Sequence, residues 1–126
     1  QIPVARFHEQ VDLLKIDVDN GDCDFLREFL KAGHKPLLIH MEVLLGLVPP
    51  PFAVSQRYNP RVELGDVAES PFAHQHRGCS LAAMASIAKD YFLVQVTHPP
   101  GDALWARHDV LANVLPAVGG SSLVDQ

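Results

Sequence analysis

Acidic side chains crowd the end of a short apolar segment near the start of the chain. Residues 11–18 are largely apolar, and Asp17, Asp19, Asp22 and Asp24 lie at or just beyond their end. Carboxylates can take a proton from a hydroxyl, or they can bind a divalent cation such as Mg²⁺ through oxygen. We therefore predict that Asp17 and Asp19 are catalytic residues and candidate Mg²⁺ ligands. Asp22 and Asp24 are expected mainly to cap a helix.

A second apolar segment, residues 37–44, carries two polar side chains, His40 and Glu42. If both segments are strands of one sheet, these residues lie near the same rim as the aspartates, and we predict that they bind substrate. The alternative is a polar pair satisfied at a strand end. His74 and His76 alternate in sequence and could supply two metal ligands, although no third ligand is evident. Ser80 lacks the glycines of a nucleophile elbow and is expected to cap a helix.

The elements that position these residues can be predicted from the spacing of apolar residues. Residues 11–18 and 37–44 are predicted strands, and residues 23–32 form a helix with one apolar face between them. Such a βαβ unit makes the two strands parallel. A helix follows from Leu81 to near Asp90, then two antiparallel strands at 91–97 and 103–107, and then a short helix at 109–115.

The segment between these two halves has the composition of a long loop. Residues 46–77 include Pro49, Pro50 and Pro51, and three successive prolines exclude both a helix interior and a central strand. This loop is either a lid over a substrate pocket or a surface excursion held by aromatic side chains, namely those of Phe52, Tyr58 and Phe72. Residues 117–126 are expected to form a disordered tail.

Composition narrows the classes of partner. The 126 residues carry 10 basic and 15 acidic side chains, a net charge of −5, without a Lys/Arg cluster, so we expect no nucleic-acid partner. No apolar run approaches a membrane span, and the first residues do not resemble a signal peptide. Cys23 and Cys79 have no zinc-site spacing and are predicted to be buried thiols. This favours a reducing compartment such as the cytoplasm, without fixing it.

The first apolar segment also carries a family resemblance. Residues 12–22, DLLKIDVDNGD, resemble the "DLLKIDVEGAE" signature of FkbM-type methyltransferases. These are class I enzymes that use S-adenosylmethionine and are generally O-methyltransferases. Residues 36–43 with Glu42, 91–96 and 104–107 are similar to later strands of the family, in a variant like its eukaryotic branch. The sequence departs from the signature at Asp19, which replaces a Glu, and at Asn20, which is inserted before Gly21.

The resemblance covers residues 9–112 and implies a fold and an activity. The chain would be a single partial domain, 1–126, the C-terminal part of a methyltransferase. Its α/β fold would be a partial Rossmann-like sheet, strands four to seven with the last antiparallel, flanked by helices. S-adenosylmethionine would be bound mainly upstream, by a Gly-rich loop that is not found here. The chain would supply the substrate-side half of the site, for a hydroxyl of a small molecule, sugar or lipid, and would be inactive alone.

Two other functions stay open at the level of sequence. The chain could be a non-catalytic binding domain that keeps the fold, or a metal-dependent hydrolase that uses carboxylates and His. The fragment interpretation has its own consequence, because the strand at 11–18 would lack a neighbour on one side. An exposed strand edge can pair with another chain, so we expect self-association there.

Overall fold

A computed structural model describes residues 10–44, 48–63, 78–97 and 101–119 of the chain. In this part, strands and helices follow one another in the order β1 (Leu13–Ile16), α1 (Asp22–Lys31), β2 (Leu38–Glu42), α2 (Pro60–Glu63), α3 (Leu81–Ile87), β3 (Tyr91–Thr97), β4 (Asp102–Arg107) and α4 (His108–Gly119). The predicted strands and helices are thus present, with β1 and β2 shorter than expected and α4 longer. The short helix α2 was not predicted, since it lies within residues 46–77, which were expected to form a loop. Residues 117–119 of the expected tail belong to α4, and residues 120–126 lie outside the described part.

The described strands form one mixed sheet in the order β1-β2-β4-β3. β1 and β2 are parallel, which confirms the prediction from the βαβ pattern. β4 is antiparallel to both β2 and β3, which confirms the antiparallel hairpin, and a register shift interrupts the β3–β4 pairing near Leu93. The last strand therefore lies inside the sheet, between β2 and β3, rather than at its edge.

The core lies on the face of the sheet that carries Ile39 and Trp105, which are directly opposite each other on β2 and β4. Leu26 of α1 and Met84 of α3 are fully buried against this face. Because α1 and α3 also contact each other, two helices cover one side of the sheet. The chain is therefore an α/β protein built on a mixed sheet.

Helix α1 begins one residue earlier than predicted, and its N-terminal cap is different. The cap residue is Gly21, in the left-handed conformation with φ of 77°, and no side chain accepts a hydrogen bond there. Asp22 was expected to be the cap, but it lies in the first turn, is 2% exposed, and accepts a hydrogen bond from the Val18 N–H at 3.1 Å. Asp22 therefore closes the strand–helix turn rather than the helix end.

The described part of the proline-rich loop is held mainly by hydrogen bonds to the backbone. The Asn20 side chain accepts from the Asn59 N–H at 2.9 Å and donates to the Asn59 carbonyl at 3.0 Å. The Ser80 hydroxyl accepts from the Val54 N–H at 2.8 Å. Tyr58 contacts the Phe25 ring edge-on, whereas Phe52 is 66% exposed. The loop is thus attached to the β1–α1 turn and to the start of α3, while Phe72, His74 and His76 lie outside the described residues.

Ser80 caps α3, as the sequence predicts. Its side chain accepts a hydrogen bond from the Ala83 N–H at 3.3 Å, and the helix ends at Ile87, a little earlier than expected. None of the helices in the described part of the chain has both the length and the apolar character needed to cross a bilayer.

The two cysteines are paired, and the prediction of buried thiols is wrong. Cys23 and Cys79 form a disulfide, with Cα atoms 5.6 Å apart, a usual separation for such a bridge. Their spacing matched no disulfide framework because the pairing depends on α1 and the start of α3 packing together. Because the cysteines are not free thiols, they no longer favour a reducing compartment.

Candidate functional site

The structure brings three of the predicted site residues together. Asp17 and Asp19 follow β1, and Glu42 is the last residue of β2. Because parallel strands end at the same edge of a sheet, the three side chains converge. One carboxylate oxygen from each lies within 4.8 Å of the others, an arrangement that could hold a metal ion. We call Asp17, Asp19 and Glu42 the carboxylate cluster.

The turn after β1 fixes the position of Asp19. Its backbone adopts the left-handed conformation, with φ of 53°, which Asp tolerates better than most residues. The next residue, Asn20, is 2% exposed and is bound on both sides of its amide by the backbone of Asn59. Gly21 lies so close to Tyr58 that a side-chain carbon there would be 2.6 Å from the Tyr58 Cα. The described loop therefore holds the turn that carries Asp19.

Partial burial and the neighbouring carboxylates both disfavour the ionised form of Glu42. The pKa of Glu42 is raised from its ordinary value of 4.5, first because the carboxyl is partly buried and then because Asp19 and Asp17 are close. A hydrogen bond between the Glu42 and Asp19 side chains, and the charge of Asp102, raise the pKa of Glu42 further. A carboxyl in this position binds either a proton or a cation more readily than an isolated glutamate does.

Two residues that the sequence did not indicate complete the surroundings of the cluster. Asp102, the first residue of β4, lies opposite Glu42 in the β2–β4 register. The Lys15 Nζ atom lies 3.6 Å from an Asp17 oxygen and 3.8 Å from an Asp102 oxygen, so its charge offsets part of theirs. In the sequence, Asp102 can be recognised only as the residue directly after the glycine of a predicted hairpin turn. That position does not indicate that Asp102 lies opposite Glu42 on β2.

His40, the other predicted substrate-binding residue, lies at the side of the cluster. It is directly opposite Lys15 on β1, and its Nε2 atom is 3.9 Å from an Asp102 oxygen. Its side chain is 33% exposed. His40 is outside the group of three side chains that could hold a metal ion. It is placed to contact a ligand that reaches the cluster from the open side of the sheet.

Asp24 supports the site from the first turn of α1. One of its oxygens accepts a hydrogen bond from the Tyr58 N–H at 2.9 Å, and the other pairs with Arg27 at 2.6 Å. The Tyr58 hydrogen bond is the main reason that the pKa of Asp24 is lowered. The Asp24 carboxylate therefore binds the loop to α1. It is not part of the carboxylate cluster, whose two aspartates are Asp17 and Asp19.

The cluster offers oxygen donors in a partly open setting. Three carboxylates suit a hard divalent cation such as Mg²⁺, Mn²⁺ or Ca²⁺ better than zinc, which prefers His and Cys. Without a cation, the same group can accept a proton from a bound hydroxyl. Comparisons with protein-family models, with curated proteins and with solved structures each found no match.

Proposed function

We propose that this chain supplies the acceptor side of a site for S-adenosylmethionine-dependent methyl transfer to a hydroxyl. The observation that carries the proposal is the convergence of Asp17, Asp19 and Glu42 at the carboxyl ends of two parallel strands. Open α/β sheets bind their ligands at this edge. Asp17 and Asp19 also lie in the segment that resembles the methyltransferase signature.

The directions of the strands also support the proposal. The resemblance implies strands four to seven of a class I methyltransferase sheet, with the last strand antiparallel. In the described sheet the first two strands, β1 and β2, are parallel, and the last strand, β4, is antiparallel to both of its neighbours. A sheet of this kind does not by itself imply a reaction, so the proposed function depends on the carboxylate cluster.

The turn between β1 and α1 does not offer the Gly-rich loop that the resemblance implies for S-adenosylmethionine. The loop between β1 and α1 contains one glycine, Gly21, and the backbone of Tyr58 already fills the space beside it. The proposal therefore assigns cofactor binding to polypeptide outside these 126 residues. When bound there, S-adenosylmethionine would supply an electrophilic methyl group.

The role of this chain is to orient the acceptor and to take its proton. Glu42, with its raised pKa, and Asp19 beside it can hold a proton between them. A divalent cation on the carboxylate cluster would lower the pKa of an acceptor hydroxyl, which makes the oxygen a better nucleophile. The all-oxygen donor set favours Mg²⁺, and it gives the alternative of a His-containing hydrolase site less support.

Titration with Mg²⁺ or Mn²⁺, followed by calorimetry, tests the cation-binding part. We expect one site per chain, and we expect Asp17→Asn and Glu42→Gln each to weaken it at least about 10-fold, as the loss of even a supporting group does in metal sites. Asp12→Asn is the matched control, because Asp12 is an exposed aspartate just before β1 and outside the cluster. Equal affinity in all variants would show that the ion binds elsewhere.

The methyl-transfer part needs a longer polypeptide that includes the sequence upstream of residue 1. Calorimetric titration of this protein with S-adenosylmethionine should give saturable binding, and binding should persist in the Asp17→Asn variant. Absence of heat, together with absence of a Gly-rich loop from the upstream sequence, would rule out methyl transfer. Cation binding by the chain would then point to the hydrolase or to a binding domain.

A further inference from the structure

No strand among the described residues pairs with the outer edge of β1. Within the described residues, β1 pairs only with β2. The Leu38 N–H donates to the Asp12 carbonyl, and alternation along a parallel strand directs the backbone groups of Leu14 and Ile16 to β2 as well. Within β1, those of Leu13 and Lys15 consequently point away from β2.

An apolar groove runs beside this edge. It has a volume of about 230 Å³ and is lined by Leu14, Lys15, Ile16, Val18, Phe25 and Phe29. Val18 and Phe25 are 46% and 44% exposed, which is high for large apolar side chains beside a sheet. A strand added at the β1 edge would cover this groove and satisfy the free backbone groups at the same time.

We propose that the occupant of this edge is β1 of a second copy of the chain, in an antiparallel, two-fold arrangement. The segment 14–18 reads apolar, basic, apolar, acidic, apolar, from Leu14 through Lys15, Ile16 and Asp17 to Val18. Reversed, it reads apolar, acidic, apolar, basic, apolar. In the register that places Ile16 opposite its own copy, each Lys15 therefore faces an Asp17, and each Leu14 faces a Val18. The pairing is complementary in both charge and polarity.

The neighbouring registers are not complementary. Hydrogen bonding at this edge must pair residues whose backbone groups point outward. Lys15 of β1 is one, and continuing the alternation one step past the end of β1 gives Asp17 as the next. Moving the copies by one allowed step in either direction places Lys15 opposite Lys15, or Asp17 opposite Asp17. Like charges directly opposite each other destabilise a strand pair, whereas opposite charges stabilise it. The sequence therefore selects the register in which Lys15 faces Asp17. This inference does not depend on methyl transfer.

Sedimentation of the full chain over a range of concentrations, with charge-swapped variants, tests the pairing. We expect a monomer–dimer equilibrium. Lys15→Asp and Asp17→Lys should each weaken the dimer about tenfold, because two attractive pairs become two repulsive ones. The double variant Lys15→Asp/Asp17→Lys restores opposite charges across the two-fold axis and should restore the dimer. Circular dichroism establishes that each variant is folded.

Lys89→Asp is the control, because it reverses the charge of an exposed lysine that is not on β1. It should leave the dimer unchanged. A chain that stays monomeric at every concentration would overturn the proposal. A dimer that persists in both single variants would also overturn it. The same holds if the double variant dimerises no more tightly than either single variant. Hydrogen exchange gives an independent readout, since the Lys15 amide should become protected as the dimer forms.

Discussion

Within the carboxylate cluster, the surroundings of Glu42 alter its ionisation. Its carboxyl is partly buried beside Asp19 and Asp17, and its pKa is raised above the ordinary 4.5. Between 4.5 and the raised value, the folded chain holds a proton that the unfolded chain releases. Stability therefore falls as the pH rises through this interval, and above it the full cost of the ionised carboxylate remains. A cation bound to the cluster would reduce that cost.

Replacing Glu42 with Gln removes the unfavourable charge. We expect Glu42→Gln to raise the free energy of unfolding at about pH 7, and to give little gain at about pH 4, where the glutamate is mostly protonated in both states. Urea unfolding at the two pH values, in a metal-free buffer, measures the difference. Glu28→Gln is the control, since Glu28 is an exposed residue of α1 away from the cluster. A loss of stability in Glu42→Gln at neutral pH would contradict this account.

Much of the cluster could be predicted from the sequence. Asp17, Asp19 and Glu42 follow apolar segments, so the prediction that two segments are parallel strands already places them at one edge. Asp102 could not be predicted, because it reaches the cluster only through the register between β2 and β4. That register is a long-range property of the packed sheet, and residues 102–107 alone do not indicate it.

At the scale of elements, the turn between β1 and α1 is the point where the strand, the helix and the proline-rich loop meet. Asn20, Gly21 and Asp24 all contact the backbone of residues 58–59. The loop residues thus act as a support for the turn that carries Asp19. The sequence indicated a long ordered loop here, with Phe52, Tyr58 and Phe72 suggested for its attachment. Tyr58 contacts Phe25 of α1, Phe52 is largely exposed, and Phe72 lies outside the described residues.

Gly21 gives a direct test of this contact. Gly21→Ala should lower the free energy of unfolding by about 2–4 kcal/mol, because it combines a left-handed backbone with a clash against Tyr58. Gly33→Ala is the matched control. Gly33 also has a positive φ, of 91°, but an added carbon would meet nothing within 4 Å. Gly33→Ala should cost only about 1–2 kcal/mol. Equal losses in urea unfolding would mean that the close approach to Tyr58 is unimportant.

The order of the strands shows where sequence reasoning ends at this scale. Apolar spacing and turn residues predicted both strands of the β3–β4 hairpin and their antiparallel pairing. They did not show which strand of the hairpin would join β2. Trp105 and Ala103 of β4 lie opposite Ile39 and Met41, so β4 is the more buried strand and takes the interior position.

At the scale of the whole molecule, a disulfide links two segments that are far apart in the sequence. The disulfide closes a loop of 56 residues between α1 and the start of α3. A loop of this length loses enough entropy in the unfolded state to stabilise the folded chain by about 4 kcal/mol. Its two sulfur atoms are fully buried with Leu26 and Met84 in the core, so the tie and the core support each other.

A reductant should therefore lower the melting temperature markedly. The double variant Cys23→Ala/Cys79→Ala should melt near the temperature of the reduced protein, and it should not respond to the reductant. Counting thiols after unfolding without reductant checks the pairing itself, and we expect none. Two thiols per chain in that assay, in protein purified under oxidising conditions, would show that the bridge does not form.

The free edge of β1 can be occupied only once. A cofactor-binding half that paired with β1 would displace the second copy, so dimer formation and assembly of a complete methyl-transfer site would exclude each other. Dilution would then favour assembly, because it dissociates the dimer. Asp17 belongs to both proposals, so Glu42 separates them experimentally: Glu42→Gln should weaken cation binding and leave the dimer unchanged.

The disulfide also determines what a protease can achieve. Any single cut between Cys23 and Cys79 leaves the N-terminal piece, with β1, bonded to the C-terminal piece, with β3 and β4. On a denaturing gel the nicked protein would run as one band without reductant and as two bands with it. Cleavage of the connecting chain, including the proline-rich loop, would therefore convert a single polypeptide into a stable two-chain protein.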